Sequence, residues 1–314
     1  MTQATIRRYN LLGLDGVPAD ELVALLDEAE GFVAAARGRE TSDLLAGRVI
    51  ANLFFEPSTR TRCSFTVAAN RLGASAIDLS GLGSSLSKGE TVLATALNLD
   101  AMGVDAIVVR SARSGTPHLI AEAVTCPVIN AGDGRHEHPT QGLLDILTLR
   151  LRWGDFAGRT VVIVGDIANS RVARSNLYGL TALGADVVLV GPPALVPASF
   201  TKITAGPGRV SVGHDLDEAL PRADAVMTLR IQLERHGEDG GGSIPPDYRR
   251  RYGLTVDRAA SLPPEVLVMH PGPINRGVEI DSEVADDPDR SVIMEQVTNG
   301  VAVRMAVLKR AVQC

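Results

Sequence analysis

A chain of 314 residues, 45% apolar and 4% aromatic, has an ordinary soluble globular composition and room for about two domain cores. Its formal net charge of −6 argues against a nucleic-acid or anionic-membrane binder, so any cationic function must be gathered locally. Three scattered cysteines, Cys63, Cys126 and Cys314, with no CxxC or HxxxH spacing, suit a reducing cytoplasm and give no metal signal.

The opening stretch, MTQATIRRYNLLGLDG, carries two arginines without an apolar segment, so no signal peptide is expected, and no apolar run approaches the ~20 residues of a membrane span. Residues 18–37 place Leu22, Leu25, Leu26, Ala29 and Val33 at helical spacing and predict one amphipathic helix. Residues 48–55 are a continuous apolar run, the pattern of a strand buried on both faces. From Ser58 to Leu72 the apolar positions Phe65, Ala68, Ala69 and Leu72 predict a helix that Gly73 stops. Short strands follow at 74–79, 104–109 and 126–130, separated by helices near 89–102 and 115–124. This alternation predicts a parallel sheet.

A long helix over 140–153 follows the loop NAGDGRHEHP, and beyond Gly154 the alternation restarts. GRTVVIVGD reads as a strand, SRVARSNLYGLTALG as a helix and ADVVLVGPP as a strand, with further strands at 224–229 and 266–269. EDGGGSIPP, 238–246, is Gly-rich and predicts a mobile loop. Residues 292–311 predict a final helix with Val297, Val301, Met305 and Leu308 on one face. The expected fold class is therefore α/β, two doubly wound parallel-sheet domains joined by long helices.

The stretch FFEPSTRTRCSF, 54–65, sets two arginines and three hydroxyls at the mouth of a helix. A helix start leaves N–H groups unpaired and carries partial positive charge, which makes an anion site. Ser58, Thr59 and Thr61 add hydroxyl donors, and Arg60 adds a planar cationic fork. Residues two apart do not share a helix face, so Arg60 is assigned to the site and Arg62 to a structural ion pair. The competing reading is a serine cap with two solvated arginines.

Other polar groups fall at similar places. Arg110 ends the strand DAIVV, His138 and Gln141 lie in HEHPTQG at a helix start, and Arg171 follows VVIVGD with Ser170 as its cap. Arg230 and Gln232 end AVMTLRIQ, and VLVMHPGP runs a buried strand into the turn of Gly272 and Pro273. Ser84 and Lys88 occupy a loop of small residues, GLGSSLSKGET. Taken alone, Arg110 reads more readily as a surface arginine and Ser84 and Lys88 as a solvated turn, while His138 reads equally well as a loop histidine making a local bond. Together, Arg60, Lys88, Arg110, Arg171 and Arg230 suit a polyanionic small molecule or two anions. The H-x-H pair has no cysteine or carboxylate at ligand spacing, so no metal is expected. Neither a P-loop nor a G-x-G-x-x-G fingerprint occurs, which leaves an oxidoreductase reading without support.

FFEPSTRTR, SLSKGET, HPTQ, LRIQLER and HPGP, in that order, resemble the signatures of the aspartate/ornithine carbamoyltransferase family over essentially the whole chain. LRIQLER and HPGP resemble its aspartate branch. The ornithine branch, with its cationic second substrate, has HCLP at the late turn and acidic or thiol groups where Arg230 and Gln232 stand. The resemblance implies transfer of the carbamoyl group of carbamoyl phosphate to L-aspartate in pyrimidine synthesis, without cofactor or metal. It implies a carbamoyl phosphate domain over 1–139, completed by a C-terminal helix over 292–314, and an aspartate domain over 140–291.

For the site, the resemblance implies that Ser58, Thr59, Arg60, Thr61 and Arg110 bind phosphate, and that Thr61, Arg110 and His138 surround the carbonyl oxygen. Gln141 and the backbone at Gly272 and Pro273 hold the carbamoyl amine, although Gly272 stands where some members have a larger residue. Arg171, Arg230 and Gln232 grip the carboxylates of aspartate. Ser84 and Lys88 enter a neighbouring chain's site in a cytoplasmic homotrimer, to which regulatory or dihydroorotase chains attach in some members. A non-catalytic anion-binding regulatory homologue is the reading from another class.

Overall fold

Strands rich in Val, Ile and Leu build two separate parallel sheets in the computed structural model, which describes residues 9–80, 91–231 and 246–313. The first unit comprises Met1–Leu147 and Thr298–Cys314. Its strands are β1 (Val49–Phe54), β2 (Ser75–Ser80), β3 (Ala106–Ser111) and β4 (Val128–Asp133), in the order β2-β1-β3-β4. Its helices are α1 (Ala19–Gly31), α2 (Val33–Gly38), α3 (Thr59–Arg71), α4 (Val92–Ala101), α5 (Thr116–Ala123) and the start of α6 (Pro139–Trp153). Every residue of β3 and β4 is buried, as expected for a parallel sheet covered on both faces.

The second unit, Thr148–Val297, carries β5 (Thr160–Val164), β6 (Asp186–Val190), β7 (Val210–Gly213), β8 (Ala225–Thr228) and β9 (Leu267–Met269), in the order β7-β6-β5-β8-β9. Helix α7 (Arg171–Ala182) follows β5. The edge strand β7 and the helices α8 (Leu216–Ala219), α9 (Tyr248–Tyr252), α10 (Val256–Ser261) and α11 (Ser282–Ala285) have no counterpart among the predicted elements. Each spans four to six residues. That is too short to show a helical or strand period. Helix α6 and the last helix, α12 (Ile293–Gln313), each run from one unit into the other. The sequence-based boundaries at 139/140 and 291/292 mark the starts of these helices, whereas packing divides inside them.

Two expectations need correction. The helix predicted over 18–37 breaks at Phe32, whose N–H reaches back to Ala29 and Glu30 oxygens, because Gly31 is a poor residue with which to continue a helix. The apolar face nevertheless continues across the break, with Leu22, Leu25, Leu26, Ala29 and Val33 all buried. On α12, Val297 is 48% exposed, and the fully packed stretch begins later, with Val303, Met305 and Leu308.

In both sheets the strand order reverses once, between β1 and β3 and between β5 and β8. At such a reversal the crossover connections leave on opposite faces and open a crevice at the carboxyl ends of the strands. The registers put Phe54 beside Arg110 at the first reversal and Val164 beside Thr228 at the second.

The C-terminal half of α12 is fixed to the first unit in two ways. Glu28 accepts from Lys309 Nζ and Arg310 Nε, both at 2.7 Å. Burial works against the Glu28 carboxylate, but these two cations outweigh it and hold its pKa below the ordinary value. All three side chains remain partly exposed. Leu308 is fully buried. Apolar packing should therefore dominate. Leu308→Ala is expected to cost about 2–5 kcal/mol, and Glu28→Gln at most ~1 kcal/mol, in denaturant unfolding of the two variants.

Candidate active site

The chain leaves β1 at Phe54, turns at Glu56-Pro57 and enters α3 at Thr59. Ser58 occupies the cap position, yet its side chain makes no capping bond. Thr91 and Ser170, at the starts of α4 and α7, each accept from the backbone N–H three residues on, at 3.1 Å. The Ser58 hydroxyl is thus not committed to its own helix, unlike those two. Thr61 is buried in the first turn and Arg60 is exposed. Arg62 turns toward Asp78, Nε to Oδ2 at 4.0 Å, with both side chains more than a third exposed. That pair is worth at most ~1 kcal/mol. It nevertheless gives Arg62 the structural ion pair expected of it, with a residue of β2.

Arg110 is buried at the carboxyl end of β3. Its carbonyl accepts from Phe55 N–H at 2.8 Å, its Nη1 donates to the Ala131 carbonyl at 2.9 Å, and its Nη2 lies 3.7 Å from Glu56 Oε1. Backbone and side chain together tie the β1, β3 and β4 ends around this guanidinium.

The loop from β4 to α6 is organised by two buried carboxylates. Asp133 accepts from Gly115 N–H at 2.7 Å, Asn130 Nδ2 at 2.9 Å and Glu137 N–H at 3.1 Å, and lies 3.1 Å from His136 Nδ1. Burial alone would raise its pKa, but these hydrogen bonds outweigh that penalty and hold the carboxyl below the usual range. Glu137 accepts from Leu14 N–H at 2.8 Å and Asp15 N–H at 3.1 Å. Gly13 is required for this approach, because a Cβ there would fall onto the Glu137 carboxylate. His138, buried immediately before α6, is thereby carried on a loop anchored at both ends. Its own carbonyl accepts from Gln141 and Gly142 N–H at 2.9 and 3.1 Å.

Gln141 is buried in the first turn of α6 and its Nε2 donates to Asp145 Oδ1 at 2.8 Å. Asp145 acts in turn on Arg304 of α12, whose Nη1 donates to the Gly300 carbonyl at 2.8 Å and whose guanidinium lies 5.1 Å from the Phe65 ring centre. Complete burial pushes the Arg304 pKa down to about 10, with Asp145 opposing the shift.

In the second unit, Arg171 is the first residue of α7 and is buried, held there by the Ser170 cap. Arg230 follows β8, half-buried, two residues beyond the register partner of Val164. At the end of β9, Gly272 N–H donates to His270 Nδ1 at 2.7 Å. That nitrogen must carry a lone pair, so Nε2 bears the proton and donates to Glu279 Oε1 at 3.2 Å. Glu279 Oε1 also accepts from Asn275 N–H at 2.6 Å, and Asn275 Nδ2 reaches the Ile231 carbonyl at 2.9 Å. The Gly272-Pro273 turn, which contains a cis peptide bond, is thus tied to the chain beside Arg230.

The structure accordingly brings Ser58, Thr59, Arg60, Thr61, Arg110, His138 and Gln141 onto one unit, at the carboxyl edge of its sheet. Arg171, Arg230, Gly272 and Pro273 fall at the same edge of the other. Ser84, Lys88, Gln232 and most of the Gly-rich stretch 238–246 lie outside the described residues. Among the described residues, no group of three or more His, Cys, Asp or Glu side chains is placed to hold a metal ion. Asp133, Glu137, Asp145 and Glu279 brace these candidate residues and were not singled out by the sequence reading. Only Asp145, one helical turn after Gln141, had a local signal.

Residues 9–151 match the family described as aspartate/ornithine carbamoyltransferase, carbamoyl-P binding domain, and residues 157–311 match its Asp/Orn binding domain. The aspartate carbamoyltransferase catalytic subunit of Myxococcus xanthus is 56% identical over 300 residues, covering 96% of this chain and 98% of that one. Its counterpart in Acidiphilium cryptum is 54% identical over 302 residues, covering 95% and 94%. The Trypanosoma cruzi aspartate transcarbamoylase in complex with carbamoyl phosphate and aspartate superposes with a TM-score of 0.86 at 30% identity, covering 98% of both chains. The ornithine carbamoyltransferase of Pyrococcus furiosus superposes with a TM-score of 0.85 at 31% identity, covering 97% of both. Backbone shape therefore does not separate the two branches; sequence does.

A depressed carboxyl contributes stability that is present above its unfolded pKa, near ~4, and is lost as pH falls through the folded value. Asp133→Asn should cost about 1–3 kcal/mol at neutral pH, because buried N–H groups lose a carboxylate acceptor. It should also flatten the fall in melting temperature below about pH 4 relative to the parent, as followed by calorimetry across pH.

Proposed function

The chain belongs to the aspartate/ornithine carbamoyltransferase family, and we propose that it catalyses the aspartate reaction, transferring the carbamoyl group of carbamoyl phosphate to the amine of L-aspartate to give N-carbamoyl-L-aspartate and phosphate. The observation that carries this reading in the structure is the start of α3. There Ser58, Thr59, Arg60 and Thr61 surround a helix entrance without a side-chain cap, beside Arg110. That combination of N–H groups, hydroxyls and guanidinium groups suits a phosphate.

The amine attacks the carbamoyl carbon, a C–N bond forms, and the tetrahedral intermediate collapses by breaking the C–O bond to phosphate. No enzyme nucleophile is acylated. Thr61, Arg110 and His138 donate to the carbonyl oxygen as it gains negative charge, each such donor being worth roughly 3–4 kcal/mol. His138 acts there as a donor, and the amine proton passes to the departing phosphate. Gln141 and the Gly272-Pro273 backbone accept from the carbamoyl amine. Arg171, Arg230 and Gln232 bind the two carboxylates of aspartate. Positioning of the two reactants supplies on the order of 7–11 kcal/mol.

The active assembly in this reading is a cytoplasmic homotrimer in which Ser84 and Lys88 of one chain complete the site of the next. No helix among the described residues is long and apolar enough to cross a membrane. The matched relatives are designated catalytic subunits, which is compatible with regulatory partner chains.

Colorimetric detection of carbamoyl-aspartate, with ornithine as the competing acceptor, tests the reaction and the branch together; turnover of ornithine alone would reject the assignment. Arg60→Ala should lower kcat by about 10²–10³ and weaken carbamoyl phosphate binding, while Arg230→Ala should chiefly raise KM for aspartate. Mixed Lys88→Ala and Arg60→Ala chains, each inactive alone, should regain activity through hybrid trimers that contain intact sites. Persistent inactivity on mixing would count against sites shared between chains.

A further inference from the structure

A primary amide can face a ligand with either of two ends, its carbonyl oxygen or its NH2 group, and rotation by half a turn exchanges them. Which end Gln141 presents therefore decides whether it accepts from a substrate or donates to one. Asp145 Oδ1 lies 2.8 Å from Gln141 Nε2, one helical turn further along α6. Both residues are buried, Asp145 completely. An ionised carboxylate can only accept, so it admits the NH2 end and repels the carbonyl end. Oε1 is left to point away from Asp145.

Asp145 must stay ionised for this to hold. The fully buried guanidinium of Arg304, an opposite charge, interacts with it electrostatically. Arg304 is held by its own helix through the Gly300 carbonyl at 2.8 Å and by the Phe65 ring face. Gly300 makes room for that return, since a Cβ there would lie 2.6 Å from Arg304 Nη1 and 3.0 Å from Leu144 Cδ2.

We propose that Asp145 is a positioning residue that fixes the Gln141 amide with its oxygen toward the substrate, so that the site selects an acyl phosphate bearing an NH2 group. The inference rests on the carbamoyl phosphate reading above, in which Gln141 meets the carbamoyl amine. In Asp145→Asn the neighbour becomes an amide that can donate or accept. Gln141 is then free to rotate and present its own NH2 group to the substrate amine.

The discriminating probe is acetyl phosphate, the same acyl phosphate with a methyl group in place of the amine. With intact protein, KM for carbamoyl phosphate is compared with the inhibition constant of acetyl phosphate, and melting temperature is recorded in parallel. In Asp145→Asn, KM for carbamoyl phosphate should rise about tenfold while the acetyl phosphate constant stays within about twofold. A purely structural role would lower the melting temperature and move both constants together, or neither, and either result would overturn the proposal.

Should Asp145→Asn alone fail to fold around an uncompensated Arg304, Asp145→Asn combined with Arg304→Met removes both charges and should show the same selective loss. If neither variant folds, the cluster is structural and the proposal falls. If the parent protein makes no carbamoyl-aspartate, the underlying reaction is wrong. If it does and the ratio is unmoved, only the role of Asp145 is wrong.

Discussion

Parallel strands deliver their chains to one edge of a sheet, and where the strand order reverses no crossover covers that edge. This constraint underlies the whole arrangement. In the first unit the reversal lies between β1 and β3, so the turn into α3 and the side chain of Arg110 emerge side by side. In the second it lies between β5 and β8, so Arg171 at the start of α7 and Arg230 after β8 emerge from adjacent strands. The two sheets have different strand orders and lengths, yet both put cationic side chains where a parallel sheet leaves a crevice.

An acidic chain can host a cationic site because many of its buried carboxylates answer to backbone N–H groups. Glu137 is taken up by Leu14 and Asp15, and Asp133 by Gly115 and Glu137. Glu279 is taken up by Asn275 N–H and by the neutral ring of His270. Each of these carboxylates fixes a loop that carries a proposed substrate group, His138 in one case and the Gly272-Pro273 turn in the other. Negative charge is thereby used within each unit as structural cement for its own loops.

The proposed reaction forms no covalent enzyme intermediate and so depends on geometry, which buried polar networks can hold. Such networks are costly when half satisfied and rigid when complete. Gln141, Asp145 and Arg304 form one of them, linking a proposed substrate contact to the C-terminal helix. The same helix is held to the first unit by apolar packing around Leu308 and by the Glu28 ion pairs. The long helix that returns to the first unit is thus packed into it and, in the proposed reading, also bears on the orientation of one amide.

Much of this was written locally. Continuous apolar runs marked most of the buried strands, and the Phe65–Leu72 period marked the inner face of α3, because periodicity depends only on neighbours in sequence. STRTR at a strand-to-helix turn suggested an anion site for the same reason, and helical spacing alone predicted the ion pair that Arg62 makes. Tertiary structure decided the rest. Glu137 finds its partners 122 and 123 residues away, and Arg304 comes within electrostatic reach of Asp145 only when the chain end returns. The exposure of Val297 and the short edge strand β7 likewise depend on what each segment packs against. Local pattern fixes which groups can bind an anion; only packing across long sequence separation fixes which way they face.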